Sequence, residues 1–144
     1  DTNTNLEIHG GVDDIWFDPK KEELVVVDYK AQSNNAPVEI NKYLNNPYHQ
    51  AYKIQMDIYV HILRKMNFKV SNTAYFYVCN GEKNYENFNG KLNFTTTLVP
   101  YETNTTWIDG KILEMKKTLE SPIVPKINNH CESCMYLSAG KDLI

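Results

Sequence analysis

Cysteine is scarce in this chain of 144 residues: there are three, Cys79, Cys131 and Cys134. So small and odd a number argues against a disulfide framework and for a reducing compartment, and the expected location is the cytoplasm. Long apolar runs are absent. Nothing approaches the roughly 20 consecutive apolar residues of a membrane-spanning helix, which predicts a soluble protein with no membrane partner. Positive charge does not dominate either, since 15 Lys and Arg stand against 18 Asp and Glu for a net charge of −3. That balance lacks the basic footprint of a protein that grips nucleic acid by bulk electrostatics. It counts less against an enzyme whose metal ions supply local positive charge. No basic, apolar leader opens the chain, and its first residue is Asp1 rather than methionine, so it is expected to be a processed product or a piece of a longer protein. No internal repeat is present. The one compositional oddity is a scatter of asparagines, which favours turns.

The rest is the composition of an ordinary globular protein, 42% hydrophobic and 23% charged. The length fits one domain over residues 1–144 with a single core. Residues 1–5 are expected to be loose, and LEIHGGVDDIWFD (6–18) reads as one bent strand or a strand pair, with Gly10 and Gly11 at a bulge or turn. PKKEE (19–23) is a polar turn, and residues 24–30 are a strand whose three consecutive valines suit a packed, pleated surface. Residues 31–45, with Asn34, Asn35 and Pro37, read as a loop. Asn46 then caps a helix that opens on Pro47, with a core stripe of Tyr48, Tyr52, Gln55, Tyr59, Ile62 and Met66. A second strand pair is expected over 72–79 and 91–102, and a second helix over 105–120, stopped by Pro122 and Pro125. A tail over 121–144 carries HCESC. Strands, helix, strands, helix predict an α/β fold bordering on α+β, with a mixed central sheet flanked by helices.

Chemistry concentrates at one edge of that sheet. In VVVDYKAQ (25–32), Asp28 and Lys30 lie two apart and so project from the same strand face. Asp13 is expected on the neighbouring strand of the hairpin. Two carboxylates, with the Tyr29 backbone carbonyl between them, offer the hard oxygen ligands that Mg²⁺ prefers, leaving other positions to water and substrate phosphate. Lys30 would then hold an attacking water or neutralise phosphate charge. Gln55, polar on a core stripe, must find a hydrogen-bond partner, and the lysine or a metal-bound water would serve. Tyr59, one turn on, shares its face. Taken alone, Asp28 and Lys30 would be a surface ion pair worth about 0–1 kcal/mol, and Tyr59 a packing residue. His130, Cys131 and Cys134 form HCxxC, half of a structural zinc site, or else ordinary buried thiols.

GGVDD (10–14), VVVDYK (25–30) and QMDIY (55–59), in that order, resemble the PD-(D/E)XK nuclease superfamily, specifically its RecB-like branch of helicase-associated and CRISPR-associated exonucleases. The resemblance implies a restriction-endonuclease-like core that cleaves DNA phosphodiesters with Mg²⁺ or Mn²⁺. It implies Asp13 and Asp28 as metal ligands, Lys30 as catalytic, and Gln55 and Tyr59 in support. It also implies an exonuclease in repair, recombination or defence, working with DNA and within a longer chain or complex. Asp13 is preferred to Asp14 because it directly follows the apolar Val12; Asp14 is the second candidate. Many members carry a helix with a histidine upstream of the first aspartate, which this chain does not contain; His9 is the nearest substitute. Iron–sulfur members close with three cysteines after the core and have one before it. Here Cys131 and Cys134 match the tail, Gly140 falls near the third position and no cysteine precedes Asp13, which counts against such a cluster. The competing reading is a binding module on the same fold, holding nucleic acid or a protein without cutting.

Overall fold

The computed structural model describes residues 1, 3–84, 90–128 and 130–141. A hairpin comes first: β1 (Asp14–Asp18) and β2 (Glu23–Gln32) pair antiparallel from Asp14↔Val27 to Asp18↔Glu23. Its turn is shaped by Asp18, whose Oδ1 accepts from the amides of Lys20 at 2.9 Å and Lys21 at 3.3 Å, and by Glu22 in the left-handed region at φ 53°. Two of the sequence expectations need correction here. Residues 6–13 form no strand, so Asp13 precedes β1 instead of lying on it. The predicted loop over 31–45 contains the last two residues of β2 and a short helix, α1 (Ile40–Asn45).

Asn46 does cap the next segment, its side chain accepting from the Tyr48 amide at 3.0 Å. What it caps is a single 3-10 turn, Pro47–His49, which leads into α2 (Gln50–Lys65). α2 starts three residues late, and its buried side holds Met56, Asp57, Tyr59, Val60, His61 and Leu63, whereas Tyr48 and Met66 at the ends of the expected stripe are 89% and 59% exposed. The helix closes by a Schellman arrangement. Asn67 adopts φ 66°, its amide donates to Arg64 O at 3.0 Å, and the Phe68 amide donates to Leu63 O at 3.1 Å.

β3 (Thr73–Gly81) then pairs parallel with β2, and β4 (Phe94–Glu102) pairs antiparallel with β3, giving one mixed sheet in the order β1-β2-β3-β4. A parallel neighbour requires a crossover, and α1 and α2 supply it. Along β2, Val26, Asp28 and Lys30 share one face. Val26 joins Met56, Tyr59, Val60, Leu63, Ala74, Phe76, Val78 and Val99 in the core, so α2 covers that face. The opposite face presents aromatic side chains, with Trp16 stacked on Tyr75 and Tyr29 edge-on to Tyr77. α3 (Ile108–Glu120) starts three residues later than predicted and buries Ile108 and Ile112. The tail, in which no helix was anticipated, forms α4 (Glu132–Lys141). The fold is the predicted one, a mixed four-stranded sheet with flanking helices of restriction-endonuclease-like type.

Candidate active site

Asp28 is fully buried near the C-terminal end of β2, on the face covered by α2. Its Oδ1 has no hydrogen-bond partner among the described residues. Its Oδ2 forms an ion pair with the Lys30 ammonium at 2.5 Å. Burial pushes the Asp28 carboxyl above its ordinary range, the attraction of Lys30 pulls it back, and the charge of Asp13 pushes it up again. A buried carboxylate with one oxygen unpartnered and another acid beside it is a costly arrangement that a single ammonium offsets only in part.

Asp13 approaches Asp28 from outside the sheet edge. It is exposed, and its Oδ2 accepts from the Tyr29 amide at 2.9 Å. In an extended strand the N–H and C=O of one residue point to the same side, so the Tyr29 carbonyl faces the side of Asp13, past the last β1–β2 pair at Asp14↔Val27. Asp14 lies on the other face. Its Oδ2 accepts from Tyr29 Oη at 2.6 Å and Trp16 Nε1 at 2.9 Å, and these two donors hold its carboxyl below the usual range. The two adjacent aspartates are thus parted by strand alternation, and only Asp13 faces Asp28.

Lys30 is held from three directions. Besides Asp28, its Nζ donates to Gln55 Oε1 at 3.2 Å and lies 4.4 Å from the centre of the Tyr52 ring, within cation–π range. Gln55 Nε2 in turn donates to Tyr59 Oη at 2.7 Å. The residues Tyr52, Gln55 and Tyr59 are spaced three and four apart on α2, so they form one row over β2. Tyr52 was not singled out for the site from sequence, although its spacing from Gln55 was the available signal. Gly10 was likewise missed: a Cβ there would stand 2.9 Å from Tyr59 Cε1, so the glycine lets the chain pass against that ring.

Other candidates stay apart. His9 is exposed and forms no hydrogen bond or ion pair among the described residues. Cys131 and Cys134 are free and half-buried. The Cys131 thiol is lowered in pKa by hydrogen bonds from Cys134, as suits a residue directly before α4. Among the described residues no three His, Cys, Asp or Glu cluster as a metal site, at the tail or elsewhere. The oxygens at the sheet edge nevertheless fit a hard divalent cation: two carboxylates, one of them with an unpartnered oxygen, and a carbonyl.

No helix among the described residues is long and apolar enough to cross a membrane. No curated protein and no solved structure matched the chain. One family model, described as the PD-(D/E)XK nuclease superfamily, matches residues 2–139. That superfamily consists mostly of metal-dependent nucleases, usually with Mg²⁺ or Mn²⁺, acting on nucleic acid. The match spans nearly the whole sequence, and the chain belongs to the PD-(D/E)XK nuclease superfamily.

Proposed function

We propose that this chain is one nuclease domain of the RecB-like branch, hydrolysing DNA phosphodiesters as an exonuclease in repair, recombination or defence. The observation that carries the reading is Asp28, fully buried with Oδ1 unpartnered, Oδ2 paired with the Lys30 ammonium and Asp13 beside it. Asp13, Asp28 and the Tyr29 carbonyl would hold Mg²⁺ or Mn²⁺. When bound, the ion supplies Lewis-acid polarisation of the phosphodiester and a water acidic enough to attack it. Lys30 meets the negative charge that develops on the phosphate and helps to orient the attacking water. Gln55 keeps Lys30 at the site while the Asp28 charge is shared, and Tyr59 fixes the Gln55 amide so that its oxygen faces the lysine. Tyr52 gives the ammonium an apolar wall.

The test is a substrate panel of labelled linear and circular DNA, single- and double-stranded, with Mg²⁺, Mn²⁺ or EDTA. The expected result is shortening of linear DNA from its ends with either metal and none in EDTA, with circles left intact. Cutting of circles would overturn the exonuclease assignment. A folded protein that binds Mn²⁺ and cuts nothing would make it the binding module instead.

A further inference from the structure

Beyond Lys30 the same face of β2 continues to Gln32, and there the surface opens into a cleft of about 490 Å³. Gln32, Asn34, Asn35, Lys42, His49 and Lys83 are among the residues that line it. Lys30 to Gln32 is two strand residues, about 6.6 Å. That is about two base rises of a DNA strand at roughly 3.4 Å each. The cleft therefore lies about one or two nucleotide lengths from the candidate site.

Its wall is built in a particular way, with the backbone and one buried amide providing the shape. Asn80, 3% exposed, accepts from Gln32 Nε2 at 3.3 Å and from the Asn34 amide at 2.9 Å, and donates to Asn34 O at 3.2 Å. Ser33 Oγ donates to Gly81 O at 3.0 Å, and Asn84 Nδ2 donates to Asn35 O at 2.9 Å. These bonds pin residues 33–35 to the end of β3. They leave the side-chain amides of Asn34 and Asn35, and Gln32 Oε1, without hydrogen-bond partners among the described residues. On the far wall, Tyr43 O lies 2.8 Å from His49 Nδ1, which fixes that nitrogen as the donor. Two exposed lysines are part of the lining: Lys42, paired with Glu39 at 2.8 Å, and Lys83, with no ion pair among the described residues.

A pinned loop that presents unused carboxamides is suited to something that both donates and accepts. Each carboxamide carries a donor and an acceptor side by side, the complement of adenine N7 and N6–H₂. Phosphate offers only acceptors and would call for cations and N–H groups, a role the lysines of the cleft can fill. We infer that this cleft seats a nucleobase of the substrate strand, about one or two nucleotides from the scissile phosphate, with preference for adenine. The position relative to the scissile bond rests on the nuclease reading above; the base site itself does not.

Two measurements test the inference and separate it from that reading. In EDTA, the ¹⁵N-labelled protein is titrated with deoxyadenosine monophosphate and with 2-deoxyribose 5-phosphate, following the side-chain amide signals. The nucleotide is expected to shift Gln32, Asn34 and Asn35 and the sugar phosphate to leave them unmoved, with affinity about tenfold weaker in the Asn34→Ala/Asn35→Ala double variant. Equal responses to both ligands, or none, would overturn the base site. In the second measurement, end-labelled thymine strands carry one adenine at successive positions. Pauses at a fixed distance from the adenine, lost in the double variant while thymine-only strands are still degraded, support the inference. Degradation indifferent to adenine would overturn the preference. Should no strand be cut, the nuclease reading fails and the metal-free titration still decides whether the cleft takes a base.

Discussion

At the scale of single residues, Asp28 is where stability and function conflict. Its carboxyl is raised chiefly by burial, with Asp13 adding and Lys30 opposing. Because the folded state holds the proton more tightly than the unfolded chain, ionising Asp28 removes stability as pH rises through the two pKa values. At neutral pH the ionised group therefore weighs against the fold until a metal ion joins Lys30 in meeting its charge. Asp28→Asn in EDTA is expected to melt at the same temperature as the wild type or higher, and to show less decline in stability between acid and neutral pH. Mg²⁺ should raise the melting temperature of the wild type and not of the variant, since only a native state that binds the ion gains from it. Scanning calorimetry across pH checks all three points, and a clear loss of stability in the metal-free variant would contradict the account. Asp57 is a contrasting buried acid. It accepts from Tyr101 Oη at 3.1 Å, the Asn104 amide at 2.9 Å and Trp107 Nε1 at 3.0 Å, tying α2 to the end of β4 and the start of α3. Asp57→Ala leaves three donors unpartnered and should cost about 3 kcal/mol, a melting-temperature drop of roughly 10 °C.

At the scale of elements, α2 is the piece that turns a strand-end ion pair into a site, because Tyr52, Gln55 and Tyr59 descend on Lys30 from one face. Gly10 belongs to this device although it lies on no element, since its missing Cβ admits the Tyr59 ring. Gly10→Ala should move that ring, loosen the Gln55 hydrogen bond and lower kcat severalfold, with a melting temperature within a few degrees of the wild type. Steady-state kinetics beside a thermal melt checks this, and unchanged kcat would separate Tyr59 from the site. Legibility followed the strength of local signals. The strands β2, with its three valines, and β3 could be read because buried strands favour β-branched and aromatic residues. α1 could not, being six residues with no buried side chain except Tyr43. The register of α2 was misread because tyrosines at both flanks suggested a stripe, whereas the packed side includes the polar Asp57 and His61, which periodicity discounts.

At the scale of the whole molecule, the mixed sheet sets two acids and a lysine at one edge by combining an antiparallel hairpin with a parallel neighbour. The hairpin brings Asp13 against Tyr29, and the crossover to β3 carries α2 over Asp28 and Lys30. The order of the three motifs was legible in the sequence; that Asp13 and Asp14 face opposite sides was not, because it depends on β1 beginning at Asp14. Nor was the cleft at the ends of β2 and β3, since Asn80 and Asn34 are 46 residues apart and a sequence gives no sign of their pairing. The tail cysteines, prominent as a pattern, gather no further ligand among the described residues. The central claim is that Lys30, held between Asp28 and Gln55, makes this edge a metal-dependent nuclease. The measurement that tests it most directly is degradation of linear DNA with Mg²⁺ by the wild type and by Lys30→Ala, each shown to be folded and each repeated in EDTA. The account predicts cutting by the wild type that stops in EDTA, and a rate at least about a hundredfold lower in Lys30→Ala. Equal rates in the two proteins, or cutting that persists in EDTA, would contradict it.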